Sequence, residues 1–450
     1  MRTRIPFFCV FGGTLAWNAE IDRSLYAFRA GKEERTVKDF PSADKVRERL
    51  MRYARINTQS QPYQGTWPTT PGQFDLAREL ARELVSIGVE NVHLDEKTCV
   101  LYAWLPASPG AENSTPLGLI AHMDTAPDAS GEHVRPWVLE KYDGGDIVLN
   151  EKEHIVMKVS DYPNLRMYIG QDLVLTDGTT LLGGDDKASI AAIMTMAEFF
   201  CTHPDAPHGP LCLAFTPDEE VSGLAHELDL ERFGAKAAYT LDGDHLGYYE
   251  DETFYASEAQ IDIIGRSVHT GTAKGIMINA ADIAGELLGM LPPREKPQYT
   301  EGTEGFFHVI SCQAQCEHAA VRMIIRDFDR DAFARREDFL RSCVETLQAR
   351  YGQERVSIRI QHQYSNMKEV LDLHPALTEN LRRAISDCGL TPVCEPFRGG
   401  TDGAALSFRG LPCPNLSAGY ENAHGRFEYV PVQSMVKNVE ILLRLCALWV

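Results

Sequence analysis

Positive charge is scarce in this chain: 44 Lys and Arg stand against 64 Asp and Glu, a net charge of −20 over 450 residues. Nucleic acid and anionic membrane both repel such a surface, which sets them aside as partners. Long apolar runs are missing too. The nearest approach, thirteen residues from Ile5 to Trp17 behind Arg2 and Arg4, holds two glycines and is too short to cross a bilayer. The small residues near Ala16 and Ala19 make a poor signal-peptide cleavage site, so residues 1–41 read as an extension without assigned function. Eleven cysteines include no Cys-x-x-Cys pair, and the closest two, Cys312 and Cys316, have no matching His or Cys pair nearby. Scattered thiols of this kind indicate a reducing, cytoplasmic setting. No GxxxxGK[ST] or GxGxxG follows a strand, which argues against nucleotide binding. Repeats and low-complexity runs are absent.

What is present is ordinary in bulk and specific in pattern. Apolar residues make up 44% and charged residues 24%, enough for two or three globular domains. Ser42 caps a predicted helix carrying Val46, Leu50, Tyr53 and Ala54. Thr70-Pro71-Gly72-Gln73 reads as a capping box opening a helix with Leu76, Leu80, Leu84 and Ile87, stopped at Gly88. Val92–Leu94 and Cys99–Leu105 suggest a strand pair. Leu117–Ala121, Leu211–Phe215 and Ala237–Leu241 are continuous apolar runs, the mark of strands buried on both faces. From Gln260 to Gln363 the order is strand, helix, strand, strand, helix, strand, a ferredoxin-like β-α-β-β-α-β unit inserted in an α/β chain. Helices are again expected at Pro375–Cys388 and from Ser434.

The chemistry gathers where the apolar runs stop. The first ends at His122-Met123-Asp124, the second at Thr216-Pro217-Asp218-Glu219-Glu220, the third at Asp242. Gly183-Gly184-Asp185-Asp186 leads into a small-residue helix pattern through Ala197, and His424 lies near the end of the chain. Ligands in open α/β sheets collect outside the carboxyl ends of strands, so these residues point to one site. His122, Asp185, Glu220, Asp242 and His424 form a nitrogen-and-oxygen donor set suited to zinc, cobalt or manganese. A bridging carboxylate such as Asp185 would give two metals three protein ligands each and leave room for water. Neighbouring Glu219 and Glu220 can divide their work, one as general base and one as ligand. Asp124 is placed to fix the ring of His122. Taken singly, each has a plainer reading: Asp185-Asp186 as a capped turn, His122 as a core histidine, Glu219-Glu220 as a solvated turn, Asp124 as a turn residue.

These motifs resemble the dizinc exopeptidases that include carboxypeptidase G and aminoacylase, most closely the peptidase T branch of cytosolic tripeptide aminopeptidases. The carrying stretches are Ala121–Thr125, Leu182–Lys187, Thr216–Val221, Tyr239–Gly243, Val268–Gly275, Ile325–Arg330 and Arg398–Gly403. The resemblance runs from about Ser42 to near the C-terminus. It implies an α/β catalytic domain with a mixed, mostly parallel sheet (42–253 and 366–450) and a ferredoxin-like lid (254–365). It implies two Zn²⁺ ions bridged by Asp185, with His122 and Asp242 on one and Glu220 and His424 on the other. Glu219 would be the general base, Asp124 the residue orienting His122, and the Asp185–Asp186 peptide cis. From the lid, His269 would stabilise the oxyanion. Arg326, Arg398 and Asn279 would hold a peptide's terminal carboxylate, joined by N–H groups of Gly399-Gly400.

The expected activity is release of the N-terminal residue of tripeptides by metal-activated water, with Co²⁺ or Mn²⁺ as substitutes for zinc and a short peptide as partner. The alternatives are a deacylase acting on N-acyl amino acids and a metal-binding protein without catalysis. Against the family pattern, Met123 stands for Val, Thr270 for Pro, Gly184 for Ala and Ser189 for Gly. None of these removes a ligand. Gly419–Ala423 departs further, and Phe427 stands where the family usually has His.

Overall fold

The computed structural model describes residues 27–30, 33–36, 42–62, 64–221, 225 and 227–450. Ala27–Ala30 and Glu33–Thr36 pair as a small antiparallel hairpin; the rest of the expected 1–41 extension lies outside the described residues.

An eight-stranded mixed sheet forms the body. Its order is 393–394, 248–250, 415–416, 237–241, 117–122, 211–216, 101–105, 91–94. The three central strands, Leu117–His122, Leu211–Thr216 and Ala237–Leu241, run parallel. Their side chains alternate between two cores. Leu119, Leu213 and Tyr239 face the helices Ala43–Ala54, Gly72–Ser86, Gly184–Thr202, Pro375–Asp387 and Val432–Leu448. Ile120, Ala214 and Ala238 face Phe233, Leu406 and Leu411 on the other side. Burial on both faces is why these strands read as unbroken apolar runs. Gly118 is required here: a Cβ would fall 2.8 Å from Ala238 Cβ and from the Phe233 ring.

Most local signals were followed. Ser42 caps the first helix and accepts from Lys45 N. The expected capping box at 70–73 does not form: Pro71 is the cap residue, and Gln73 Nε2 donates to Thr70 Oγ1 (3.2 Å) and more closely to Asp218 Oδ1 (2.6 Å), not to the helix backbone. The last helix begins at Val432, behind Pro431, two residues before the expected start.

Residues 255–364 build a second sheet, all antiparallel, in the order 306–314, 318–327, 255–264, 356–364, with helices Ala280–Met290 and Arg330–Tyr351 packed on it. This is the ferredoxin-like arrangement. It has its own core, with Ile261, Leu287, Met323 and Leu340 at its centre. The first strand starts at Tyr255 rather than Gln260, because Tyr255 and Ala259 are buried in that core although the stretch lacks β-branched residues. Entry and exit stand side by side. Thr253 N donates to Asn366 Oδ1 (3.1 Å), Met367 N donates to Thr253 Oγ1 (3.0 Å), and Thr253 also bridges to Phe397. Among the described residues no helix is long and apolar enough to cross a membrane.

Candidate metal centre

Parallel central strands end at one edge of the sheet. His122 closes its strand opposite Thr216, and Asp242 follows Leu241 on the neighbouring strand. Between them enters the Asp185-Asp186 turn. Gly183 sits in the left-handed region (φ 78°), and both aspartates have non-helical angles, so regular helix begins only after them. Their peptide bond is cis.

The five candidate ligands meet here. His122 Nε2 lies 3.0 Å from Asp185 Oδ1, and His424 Nε2 lies 3.1 Å from Asp185 Oδ2. Each carboxylate oxygen of Asp185 thus has its own imidazole. His424 Nε2 is also 3.0 Å from Glu220 Oε2. Donor atoms of His122, Asp185 and Glu220 lie within 4.8 Å of one another, as do those of His122, Glu219 and Asp242. Asp124 is fully buried beneath them. Its Oδ1 lies 3.3 Å from His122 Nδ1, and its two oxygens accept from Glu219 N (2.9 Å) and Glu220 N (3.2 Å). Asp186, the second acid of the turn, accepts from His122 N (3.1 Å).

Electrostatics show what the cluster is short of. Burial, with Asp242 and Asp402 nearby, pushes Glu219 well above the usual carboxylate range. Burial and Asp185 raise Glu220 to about 7. Hydrogen bonds to Asp185 and Glu220 lift His424 to about 11. Burial opposes ionisation of Asp185 too, but the bonds from His122 and His424 hold its carboxyl below the usual range. Asp186 Oδ1, Glu220 Oε1 and Asp402 Oδ1 are buried without a hydrogen-bond partner among the described residues. Crowded buried acids with too few cations fit divalent metal ions, and the absence of thiolates favours the zinc, cobalt and manganese class.

Three supports were not legible in the sequence. Glu428, buried, accepts from Leu182 N (2.8 Å), Gly183 N (2.7 Å) and Asp185 N (2.9 Å), seating the turn that carries the aspartates. Tyr420 donates its hydroxyl to Asp242 Oδ1 (2.7 Å) and accepts from Gly243 N (2.8 Å). Gln73 reaches Asp218, directly before Glu219. Phe427 packs against Tyr162 in a satellite core.

A cavity of about 750 Å³ opens from the cluster, lined by Asp185, Glu219, Glu220, Asp242 and His424 at one end and by Phe397, Arg398 and Gly400 further on. Arg398 is tied to the second unit, donating to Gly302 O (2.5 Å), Glu304 O (3.0 Å) and Thr300 Oγ1 (2.9 Å). The remaining candidates do not line this cavity. His269 is exposed, its Nδ1 accepting from Gly271 N (3.2 Å). Asn279 caps the helix Ala280–Met290 and accepts from Ala281 N (3.1 Å). Arg326 is buried, donating to Ser257 O (3.2 Å), Ile325 O (3.0 Å) and Gln363 Oε1 (2.8 Å).

Comparison with known proteins bears on this arrangement. The family model for Peptidase family M20/M25/M40 matches residues 182–447. A curated relative named Peptidase T, from Geobacillus thermodenitrificans, is 47% identical over 402 residues, 89% of this chain and 97% of its own length. Two solved structures share the fold: aminopeptidase PepT from Bacillus cereus ATCC 10987 (TM-score 0.71, 22% identity, 91% of this chain and 99% of that one) and a tripeptidase from Staphylococcus aureus (TM-score 0.70, 21% identity, with the same coverage of 91% and 99%). Likeness of this extent in sequence, joined to the fold, means that the chain belongs to peptidase family M20/M25/M40.

Proposed function

We propose that this protein is a cytoplasmic dizinc aminopeptidase that releases the N-terminal residue of tripeptides. The observation that carries the reading is the placing of a different imidazole on each oxygen of Asp185, with Glu220 and Asp242 alongside. His122, Asp185 and Asp242 would hold one ion, and Asp185, Glu220 and His424 the other, with cobalt or manganese able to substitute. When bound, such ions supply charge that acidifies water and polarises a carbonyl.

The chain's own residues account for the rest. Glu219, held in place through its backbone by Asp124, accepts a proton from the attacking water and delivers it to the leaving amine nitrogen. Asp124 also fixes the orientation of His122. In the working arrangement His269 donates to the developing oxyanion, and Arg326, Arg398 and Asn279, with the N–H groups of Gly399-Gly400, grip the terminal carboxylate. Length selection follows from that ruler: a dipeptide with its amine at the metals cannot bring its carboxylate to the arginines, and a longer peptide collides. On this reading 42–253 and 366–450 form the catalytic domain, 254–365 the lid, and 1–41 an extension.

The test is hydrolysis of di-, tri- and tetrapeptides with added zinc or cobalt and a chelator control, beside an N-acetylated tripeptide. Tripeptide cleavage that needs metal and a free amine is expected. Preference for the acetylated substrate would favour a deacylase, and metal loading without any turnover would favour a non-catalytic binder.

A further inference from the structure

The segment from Ile56 to Gln73 touches every ligand-bearing stretch that precedes the second sheet except that of Asp242. Ile56 O accepts from Lys187 Nζ (2.9 Å), just after the paired aspartates. Thr58 O accepts from Thr125 N (3.3 Å), and Ser60 N donates to Thr125 O (3.1 Å), just after His122. At its far end the contact is through side chains. Gln73 Nε2 donates to Asp218 Oδ1 (2.6 Å) while Gln73 Oε1 accepts from Asp218 N (3.1 Å). Thr69 donates to the same carboxylate from its backbone N (2.8 Å) and its hydroxyl. Gln73 and Asp218 are both fully buried, and Asp218 is held in the left-handed region at φ 59°.

Asp218 immediately precedes Glu219 and Glu220. The backbone of that pair is gripped by Asp124 from one side and, through Asp218, by Gln73 and Thr69 from the other. A left-handed aspartate is an uncommon conformation that its surroundings must enforce. The Gln73 amide matches both the N–H and the carboxylate of Asp218, so it specifies that conformation and not merely contact.

We propose that Gln73 is a positioning residue, acting through Asp218 to aim the Glu219 and Glu220 carboxylates at the metal centre. This rests on the function proposed above. A misplacement of about 1 Å at such a pair costs up to about 100-fold in rate. Gln73→Glu sets a second carboxylate against Asp218 and removes the amide donor. Its kcat on a tripeptide should fall about 10- to 100-fold, with KM within about twofold. The double variant Gln73→Glu/Asp218→Asn restores the pairing with donor and acceptor exchanged, because the amide introduced at position 218 can donate to the new carboxylate and still accept from Thr69. It should recover most of the lost kcat. Cobalt titration read by visible absorption adds a readout apart from turnover: the equivalent bound by Glu220 should weaken in the single variant and return in the double.

Should Gln73→Glu fail to fold, Thr69→Val removes one hydroxyl only and should lower kcat by a smaller factor at unchanged KM. Wild-type protein inert on tripeptides would overturn the proposed function itself. Active wild-type protein with Gln73→Glu unchanged, or with a double variant no better than the single, would overturn the role of Gln73 alone.

Discussion

His122, Asp185, Glu219, Glu220, Asp242 and His424 come from a strand end, a helix start and loops at one edge of the large sheet and already lie together, whereas His269, Asn279 and Arg326 sit on the four-stranded unit, each bonded to its own neighbours. The first group is fixed by one rigid framework: parallel strands buried on both faces, whose ends share an edge. The second belongs to a separately packed body with its own core, joined at the paired strands near Thr253 and Asn366. The candidate ligands and Glu219 thus already lie together, while His269, Asn279 and Arg326 do not line the cavity beside them. Arg398 already spans both, since it lines the cavity and bonds to residues 300–304.

That contrast can be attacked directly. The sharpest attack is Glu219→Gln, which keeps shape and removes the proposed base: kcat should drop about 10²- to 10⁴-fold with metal content, measured by elemental analysis, unchanged. Retained turnover would exclude Glu219 as the proton acceptor. Next comes Leu340→Ala in the core of the four-stranded unit, expected to cost that unit about 2–5 kcal/mol in denaturant unfolding. Zinc affinity should not move; a parallel loss would show that the two bodies are not independent.

Arg326→Ala is smaller in effect. It should raise KM for tripeptides about 10- to 100-fold, the worth of a buried charged hydrogen bond, and flatten the preference over di- and tetrapeptides. Unchanged length selectivity in competition assays would remove Arg326 from the ruler.

The smallest effect concerns the scaffold beneath the metal end. Arg49 joins Glu83 (2.7 Å) on helix Gly72–Ser86 to Glu198 (2.7 Å) on the helix that starts at the aspartates. Burial alone would raise the Glu83 pKa, but hydrogen bonds from Tyr53 and Arg49 bring it below its ordinary 4.5. A depressed carboxylate stabilises fully above about pH 4.5 and loses its contribution as pH falls through the folded value. Glu83→Gln should therefore cost about 1–2 kcal/mol at pH 7 and show a shallower decline below pH 4.5 in urea unfolding. An unaltered pH profile would exclude this network from the framework.

Much of this was readable in advance, for a physical reason. Strands buried on both faces must be apolar throughout, so the first polar residues after Ala121, Phe215 and Leu241 mark where the chain leaves the core, and the candidate ligands sit there. The four-stranded unit was equally visible, because its two helices and four strands are long enough to show their periods. Strands of two or three residues, such as Val393–Cys394 and Asn415–Leu416, carry no period and gave no signal. Nor did the supports. Glu428 meets the turn at 182–185 across more than 240 residues, and nothing local to its surroundings announces three N–H partners. Gln73 looked like a helix cap because its spacing from Thr70 fits one; the stronger partner, Asp218, lies 145 residues away.

Entry and exit of the four-stranded unit at neighbouring residues have one more consequence. A loop excursion of this kind is severable: joining Thr253 to Asn366 through a short turn would delete the whole excursion without shifting the sheet register beneath any proposed ligand. The large sheet and the proposed ligands would then form a smaller protein on their own, and whether it still takes up metal can be measured apart from any choice of substrate.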